Sequence, residues 1–92
     1  EPKFDVVRLA EQLNITRATL SRKIKAITGQ TALEFIRNIK MKHACRMLKN
    51  TSMSVSEIII AVGYNDHKHF TATFKDLFGV TPSEYRKKNN PP

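Results

Sequence analysis

Sliding the sequence along itself reveals an internal repeat with a period of about fifty residues, so the chain contains two similar segments. Residues 9–16 align with residues 58–65 at a shift of 49. After one extra residue in the second copy the shift becomes 50, and residues 20–35 align with residues 70–85. In this alignment, apolar residues of the first copy match apolar residues of the second, and glycine, threonine and glutamate also occur at matched positions. We therefore predict two copies of one structural unit.

Each copy has the pattern of a helix, a tight turn and a second helix. Apolar residues recur at helical spacing and predict the faces that turn inward. They are Val6, Leu9, Ala10, Leu13, Leu20, Ile24 and Ile27 in the first copy and Ile58, Ile59, Val62, Phe70, Phe74, Leu77 and Phe78 in the second. Helix caps and residues that tolerate a left-handed turn separate these stripes. They are Asp5, Asn14, Thr16 and Gly29 in the first copy and Ser54, Glu57, Gly63, Asp66 and Gly79 in the second.

A longer helix is predicted between the two copies. Thr31 and Glu34 form a capping box at its start, and the helical pattern continues to about Asn50. Apolar residues lie on or near one face of this linker helix, namely Phe35, Ile36, Ile39, Ala44, Met47 and Leu48. After the second copy, Thr81, Pro82 and Glu84 predict a last short helix, since they supply an N-cap, a proline in the first turn and the glutamate of a capping box.

No segment alternates apolar and polar residues as a strand does, so we predict an all-α fold. Two helix-turn-helix subdomains are joined by the long linker helix. The predicted boundaries are 1–92 for a single domain, 5–29 for the first helix-turn-helix, 31–50 for the linker helix, and 54–88 for the second helix-turn-helix with the terminal helix. The length of 92 residues suits one domain.

The charge balance favours a polyanionic partner. Sixteen Lys and Arg residues against eight Asp and Glu residues give a net charge of +8 at pH 7 and a pI near 10.0. Nucleic acid is the first candidate, and an anionic membrane surface is the second. No apolar run approaches the roughly 20 residues that a membrane span needs. A single cysteine, Cys45, cannot form an internal disulfide, which favours the cytoplasm.

Catalytic and metal-binding patterns find little support. The sequence contains no Gly-rich phosphate loop, no paired carboxylates on one face and no nucleophile triad in a strand-turn context. His67 and His69 are two apart on a helix and point to different faces, which argues against joint metal binding. We therefore predict that the chain is not an enzyme and that it needs no cofactor or metal.

The second helix of the first copy has the pattern of a DNA-reading helix. In a helix-turn-helix motif this helix lies in the major groove while its partner braces it. Its outward face and N-terminal end are basic and carry no acid, and the predicted DNA-contacting residues are Thr16, Arg17, Ala18, Ser21, Arg22 and Lys25. Arg22 can pair with the O6 and N7 acceptors of guanine, Ser21 can read several bases, and Ala18 can contact a thymine methyl.

The matching helix of the second copy carries less charge. Its predicted DNA-contacting residues are Asp66, His67, Lys68, Thr71, Ala72 and Lys75. Outside both motifs, Lys40 and Arg86 are candidate phosphate contacts, with a solvated surface charge as the alternative for each. Residues 16–28 hold four basic residues and no acid, whereas residues 66–78 balance two Lys against two Asp. We expect the first motif to supply most of the salt-sensitive anchoring and the second to adjust register or contact a partner.

The linker has a length that fits duplex DNA. A helix over residues 32–50 spans about 28 Å at ~1.5 Å per residue, and successive major grooves on one face of DNA lie ~34 Å apart. One chain can therefore read two unlike half-sites, and its target should not be palindromic. A basic all-α module that binds an acidic protein is the alternative, although such a module does not need its two motifs in register. RNA is less favoured, because no aromatic sheet platform or GXXG clamp is present.

The residues resemble a known family. The segment SVSEIIIAVGYNDHKHFTATFKDLFG through VTPSEYR closely resembles the signature of AraC/XylS-type transcription regulators, and LAEQLNITRATLSRKIKAITGQTALEFIRNIKMKHA resembles that family's first helix-turn-helix and linker helix. The resemblance covers residues 5–88. The residues at family spacing are Gly63, Tyr64, Asp66, Phe70, Phe74, Lys75, Phe78, Gly79, Pro82, Tyr85 and Arg86.

The resemblance implies a homeodomain-like, seven-helix DNA-binding domain that activates transcription in contact with RNA polymerase. The family's first helix would precede Asp5, so this chain is expected to begin inside the domain, with the sensor region elsewhere in a longer bacterial, nucleoid-associated parent protein. Base contacts in the family fall on the outward residues of the two second helices, namely Ala18, Ser21, Arg22, His67, Lys68, Thr71 and Ala72. Ala72 departs from the polar or basic residue that many members carry, so base reading by the second motif is expected to be weak.

Overall fold

The computed structural model describes residues 6–89 as six helices without a strand. The helices are α1 (Val6–Leu13), α2 (Arg17–Thr28), α3 (Ala32–Asn50), α4 (Val55–Ala61), α5 (His67–Phe78) and α6 (Pro82–Asn89). The all-α prediction is confirmed. The linker helix, predicted over residues 31–50, is α3, which runs over Ala32–Asn50. The predicted cap Asp5 lies outside the described residues.

The described residues fall into two compact units, a first unit over residues 6–40 and a second unit over residues 41–89. The first unit contains α1, α2 and the beginning of α3. The second contains the rest of α3 and helices α4 to α6. Each unit therefore contains one helix-turn-helix motif together with part of the linker helix.

The sequence repeat reappears as a repeat of backbone hydrogen bonds in the turns. In the first unit the N–H of Ile15 donates to the carbonyl of Ala10 at 3.1 Å, and in the second the N–H of Tyr64 donates to that of Ile59 at 3.0 Å. The residue before each donor has a positive φ, 58° at Asn14 and 96° at Gly63. Asparagine tolerates this left-handed conformation and glycine adopts it without strain, so both turns close in the same way.

The predicted caps also form in both copies. The side chains of Thr16 and Asp66 accept from the backbone N–H groups three residues later, each at 3.1 Å. Gly29 and Gly79 end α2 and α5 in the left-handed conformation. The capping boxes predicted at the starts of α3, α4 and α6 are present, with reciprocal bonds of 2.8–3.2 Å. Local capping chemistry therefore determines where the helices begin and end.

Two separate clusters of buried side chains form the cores. The first unit buries a mainly aliphatic set, Val6, Ala10, Leu20, Ile24, Ala32 and Ile36. The second buries Met41, Ala44, Leu48, Ile58, Ile59, Val62, Phe70 and Phe74, of which five large side chains, those of Met41, Leu48, Ile58, Phe70 and Phe74, are no more than 1% exposed. Tyr64, Phe78 and Tyr85 add an aromatic network, in which the ring centroids of Phe74 and Phe78 lie 4.6 Å apart.

The linker helix departs from the prediction of one apolar face. Ala32 and Ile36 belong to the first cluster, whereas Met41, Ala44 and Leu48 belong to the second. The interval of five between Ile36 and Met41 interrupts the spacing of three and four that a single stripe requires. Met41 was missed although it is fully buried, and Ile39 is 38% exposed.

The inward stripes end earlier than their spacing predicted. The prediction for Ile27 is wrong, because it is 81% exposed, and Leu13 is 54% exposed. In the second unit the positions matching Ile27 and Thr28 hold Leu77 and Phe78, which are only 39% and 36% exposed. Phe78 packs its ring against Phe74. The smaller aliphatic side chains of the first unit leave the last turn of α2 without such a partner.

The thiol of Cys45 lies against the second core. Burial raises its pKa, and the nearby Lys49 and Arg46 offset this only in part. Burial likewise raises the pKa of Tyr85. Both groups therefore stay neutral at physiological pH.

Helices within residues 6–89 are all too short or too polar to cross a lipid bilayer. Over the same residues, no three side chains of His, Cys, Asp or Glu come close enough together to hold a metal ion.

Candidate nucleic-acid interface

The outward face of α2 is exposed and basic. Arg17, Ala18, Arg22 and Lys25 are exposed, and Ser21 is half-buried. The face is turned outward because Leu20 and Ile24 on the opposite side are buried in the first core. The cations therefore stand on a rigid helix whose other side is fixed by packing, which suits binding to a polyanion.

A short hydrogen-bond chain at the start of α2 positions Arg22. The hydroxyl of Thr16 caps the helix and donates to Thr19 Oγ1 at 2.9 Å. Thr19 Oγ1 also accepts from Nη2 of Arg22 at 3.3 Å. One guanidinium nitrogen is thus held by the helix, while the exposed side chain keeps its remaining N–H groups for a ligand.

Thr19 was missed by the sequence analysis, which considered only the capping and outward residues. The signal for it is the spacing of Thr16, Thr19 and Arg22 at intervals of three, since residues three apart are neighbours on a helix surface. The hydroxyl of Thr16 caps α2. A predicted contact of this hydroxyl with DNA would therefore compete with the capping hydrogen bond.

The outward face of α5 is exposed in the same way but carries different groups. His67, Lys68, Ala72 and Lys75 are exposed, while Phe70 and Phe74 on the other side are fully buried. In the repeat, Arg17 corresponds to His67 and Arg22 to Ala72. The second unit therefore presents fewer permanent cations on the equivalent surface.

Asp66 and Thr71 are less available than the sequence suggested. The carboxylate of Asp66 is exposed, but it caps α5 by accepting from the N–H of His69. The hydroxyl of Thr71 is buried and has no hydrogen-bond partner among residues 6–89. Since Thr71 is only half-buried as a residue, the side-chain surface that it exposes is carbon.

The two predicted phosphate contacts outside the motifs differ in their surroundings. Lys40 is half-buried on α3. Arg86 donates from Nε to the carbonyl of Leu48 at 3.1 Å and from Nη2 to the carbonyl of Thr51 at 3.2 Å. Arg86 therefore ties α6 to the C-terminal end of α3, where helix carbonyls lack intrahelical partners. Its phosphate contact stays a prediction that involves the remaining N–H groups.

A family sequence model described as "Helix-turn-helix domain" matches residues 9–88, which is most of the chain. The chain belongs to the AraC-type helix-turn-helix family. This is a family of DNA-binding transcription regulators, as the sequence resemblance implied.

Two relatives illustrate the range of proteins that contain such a domain. The chain is 37% identical over 86 residues to "Histidine kinase P4" of Formosa agariphila and 33% identical over 86 residues to the MmsAB operon regulatory protein of Pseudomonas aeruginosa. Each match covers 94% of this chain, but only 6% and 28% of those relatives. The AraC-type chain thus spans a small part of the relatives that it matches.

Solved structures support the same fold. The C-terminal domain of AraT, a response regulator from Geobacillus stearothermophilus, matches with a TM-score of 0.85 at 31% identity, covering 98% of this chain and 74% of that one. The DNA-binding domain of AdpA, solved in complex with a target DNA, matches with a TM-score of 0.83 at 27% identity, covering 94% and 78%.

Proposed function

We propose that this AraC-type domain binds double-stranded DNA sequence-specifically through α2 and α5, each entering a major groove, and that the two grooves are successive. The observation that supports this most directly is the exposed, basic, acid-free face of α2, on which Thr19 holds Arg22 by one nitrogen. The similarity to a domain that was solved with its target DNA supports the same proposal.

Individual roles follow from the exposed chemical groups. On α2, Arg22 pairs with guanine, Ser21 hydrogen-bonds a base edge, and the Ala18 methyl contacts a thymine methyl. Arg17 and Lys25 neutralise phosphates. On α5, Lys68 supplies the cation, and the carbon surface of Thr71 suits apolar contact with thymine.

The two units are proposed to contribute unequally. The first unit supplies most of the salt-dependent anchoring, because its reading face carries permanent cations without acids. The second unit, in which α5 and its N-cap balance Lys68 and Lys75 against Asp66 and Asp76, sets the register on DNA. Two unlike reading faces predict a target made of two different short motifs about one helical turn apart.

The parent protein is proposed to regulate transcription in the bacterial cytoplasm, at the nucleoid, as an activator that contacts RNA polymerase, with its sensor in another region. The relatives named as an operon regulator and a histidine kinase support a regulatory context. No enzymatic activity is proposed for the domain.

Selection of bound duplexes from a random pool, followed by sequencing, tests this function. The 92-residue chain should enrich two short, dissimilar motifs. Arg22→Ala should relax preference at one base pair and cost roughly 1–3 kcal/mol if Arg22 reads guanine, whereas Lys23→Ala, on the same helix, should leave the consensus unchanged. Enrichment of no sequence would contradict specific binding, and an unchanged consensus in Arg22→Ala would reassign this residue to the DNA backbone.

A further inference from the structure

An open groove of about 930 Å³ lies beside the reading face of α2 within the first unit. Its lining includes five apolar residues, Val6, Val7, Ala26, Ala32 and Leu33, and three basic residues, Arg17, Arg22 and Lys25. Val7 is 42% exposed and Leu33 is 77% exposed. The groove is therefore shallow, and its apolar wall faces solvent.

The internal repeat shows that the fold does not need this apolar wall. At the matched positions the second unit holds Ser56 in place of Val7, Asp76 in place of Ala26 and Ser83 in place of Leu33. All three polar residues are exposed, and the same helices and caps form around them. Since exposed apolar patches mark interaction sites more often than they serve folding, the difference points to a ligand of the first unit alone.

The lining indicates the chemistry of that ligand. No acidic residue occurs among the described residues that line the groove. A ligand that fits the groove therefore carries negative charge next to apolar groups. Small-molecule sites bury 70–90% of their ligand, which a groove with such an exposed wall does not do. Duplex DNA would neutralise the cations but would offer little to Val7 and Leu33. An amphipathic helix satisfies both requirements, since it lays apolar residues in a groove and flanks them with charge.

We propose that this groove binds an acidic amphipathic helix of a protein partner. Because Arg22 and Lys25 belong both to the groove and to the DNA-reading face, the bound helix excludes DNA from α2. The partner is thus an antagonist of the first unit. The exclusion step rests on the proposed DNA-binding function, whereas binding of the helix does not.

A peptide-binding assay with the 92-residue chain tests the proposal. The probe is a fluorescent peptide of about four helical turns with leucines at i, i+3, i+4 and i+7 spacing and glutamates on both flanks. One control is a scrambled peptide of the same composition, and a second has lysine in place of glutamate. The first peptide should bind at micromolar concentration, and each control should bind at least about tenfold more weakly.

Substitutions taken from the second copy locate the site. Val7→Ser with Leu33→Ser should weaken peptide binding at least about tenfold, while the matched control Ile60→Ser, which changes an exposed apolar residue of the second unit, should not. Circular dichroism checks folding, and if the double variant unfolds, Leu33→Ser alone provides the test. Equal binding of the scrambled peptide, or unchanged binding by the groove variant, would overturn the proposal.

Two further measurements test the exclusion of DNA and the identity of the occupant. The peptide should displace a labelled duplex from the wild-type chain but not from the groove variant. If the chain binds the peptide but not DNA, the proposed DNA-binding function is contradicted, while the groove is still shown to bind the helix. If sedimentation shows a dimer of the wild-type chain that the groove variant dissociates, the occupant is a second copy and the partner proposal is wrong.

Discussion

The two units share one backbone design and differ in almost everything attached to it. Turn hydrogen bonds, helix caps and capping boxes recur at shifts of 49 and 50 residues. The first unit encloses a small aliphatic core under a basic, partly apolar surface. The second encloses an aromatic core, and its reading helix with its cap balances two Lys against two Asp. The helix-turn-helix is therefore specified by caps and turns, and core side chains and surface charges vary around it.

The aligned core positions show the difference directly. Leu20 and Ile24 of the first unit correspond to Phe70 and Phe74 of the second. The ring of Phe74 lies 5.9 Å from that of Phe70 and 5.7 Å from that of Tyr85. Larger side chains bury more apolar area, so the second unit should be the more stable of the two.

Deletion of a core side chain should have the largest effect. Phe74→Ala should lower the free energy of unfolding by about 4 kcal/mol, and Ile24→Ala by about 2–3 kcal/mol, because the ring leaves the larger cavity. Both tyrosines, Tyr64 and Tyr85, lie in the second unit and the chain has no tryptophan, so tyrosine fluorescence in urea measures the loss in Phe74→Ala. Circular dichroism in urea, which reports the helices of both units, measures the loss in Ile24→Ala. Equal losses would contradict the comparison, and Phe74→Leu is the milder variant if Phe74→Ala does not fold.

Removal of the tie between α6 and α3 should rank second. Arg86→Ala should cost the second unit about 1.5–3 kcal/mol, since two carbonyl groups lose a charged donor. The matched position in the first unit is Ile36, a buried apolar residue, so this bond distinguishes the units. The urea midpoint measures the change, with the exposed Lys87→Ala as control. A loss no larger than that of the control would show that these bonds do not stabilise α6.

Loss of the Thr19 hydroxyl should weaken DNA binding moderately. Thr19→Val removes the acceptor of the Arg22 guanidinium, which should cost about 0.5–1.5 kcal/mol of binding free energy, the usual net value of such a bond. Fluorescence anisotropy with the selected duplex measures it. The same change in an Arg22→Ala background should have no further effect, and an equal effect there would refute the positioning role.

The smallest effect should be a pH dependence common to both units. Backbone hydrogen bonds at Thr31 and Thr81 lower the pKa of Glu34 and Glu84 below the ordinary value of 4.5. The resulting stability is fully present above pH 4.5 and is lost as the pH falls through the lowered pKa of each carboxyl. Unfolding in urea from about pH 6 to about pH 3 should show this loss, and Glu34→Gln and Glu84→Gln should each remove a similar share. If only one of these substitutions reduces the pH-dependent loss of stability, the two capping boxes are not equivalent.

Local signals predicted most of the fold from the sequence. Thr16, Asp66 and the glycines after α2 and α5 placed the helix ends correctly, because capping depends on neighbours within a few residues. Burial at the ends of the stripes was less predictable. Ile27 and Leu77 occupy matched positions of the repeat, but they are 81% and 39% exposed, and helical spacing alone does not specify this difference.

Some features of the candidate site could be predicted from the sequence and others could not. Exposure of Arg22 and Lys25 followed from the helical spacing of the residues opposite them. The role of Thr19 and the buried hydroxyl of Thr71 depend on rotamers, which spacing does not specify. The tie from Arg86 to Leu48 crosses 38 residues of sequence, and no local pattern indicates such a contact.

The unequal contribution of the two units to DNA binding is tested most directly by the salt dependence of binding. Affinity for the selected duplex is measured against salt concentration for the wild-type chain, Arg17→Ala, Lys68→Ala and the control Lys23→Ala. Each lost phosphate contact should reduce the logarithmic slope by about 0.9, and we expect the reduction to be larger for Arg17→Ala than for Lys68→Ala. A larger reduction for Lys68→Ala would show that the second unit provides the anchoring.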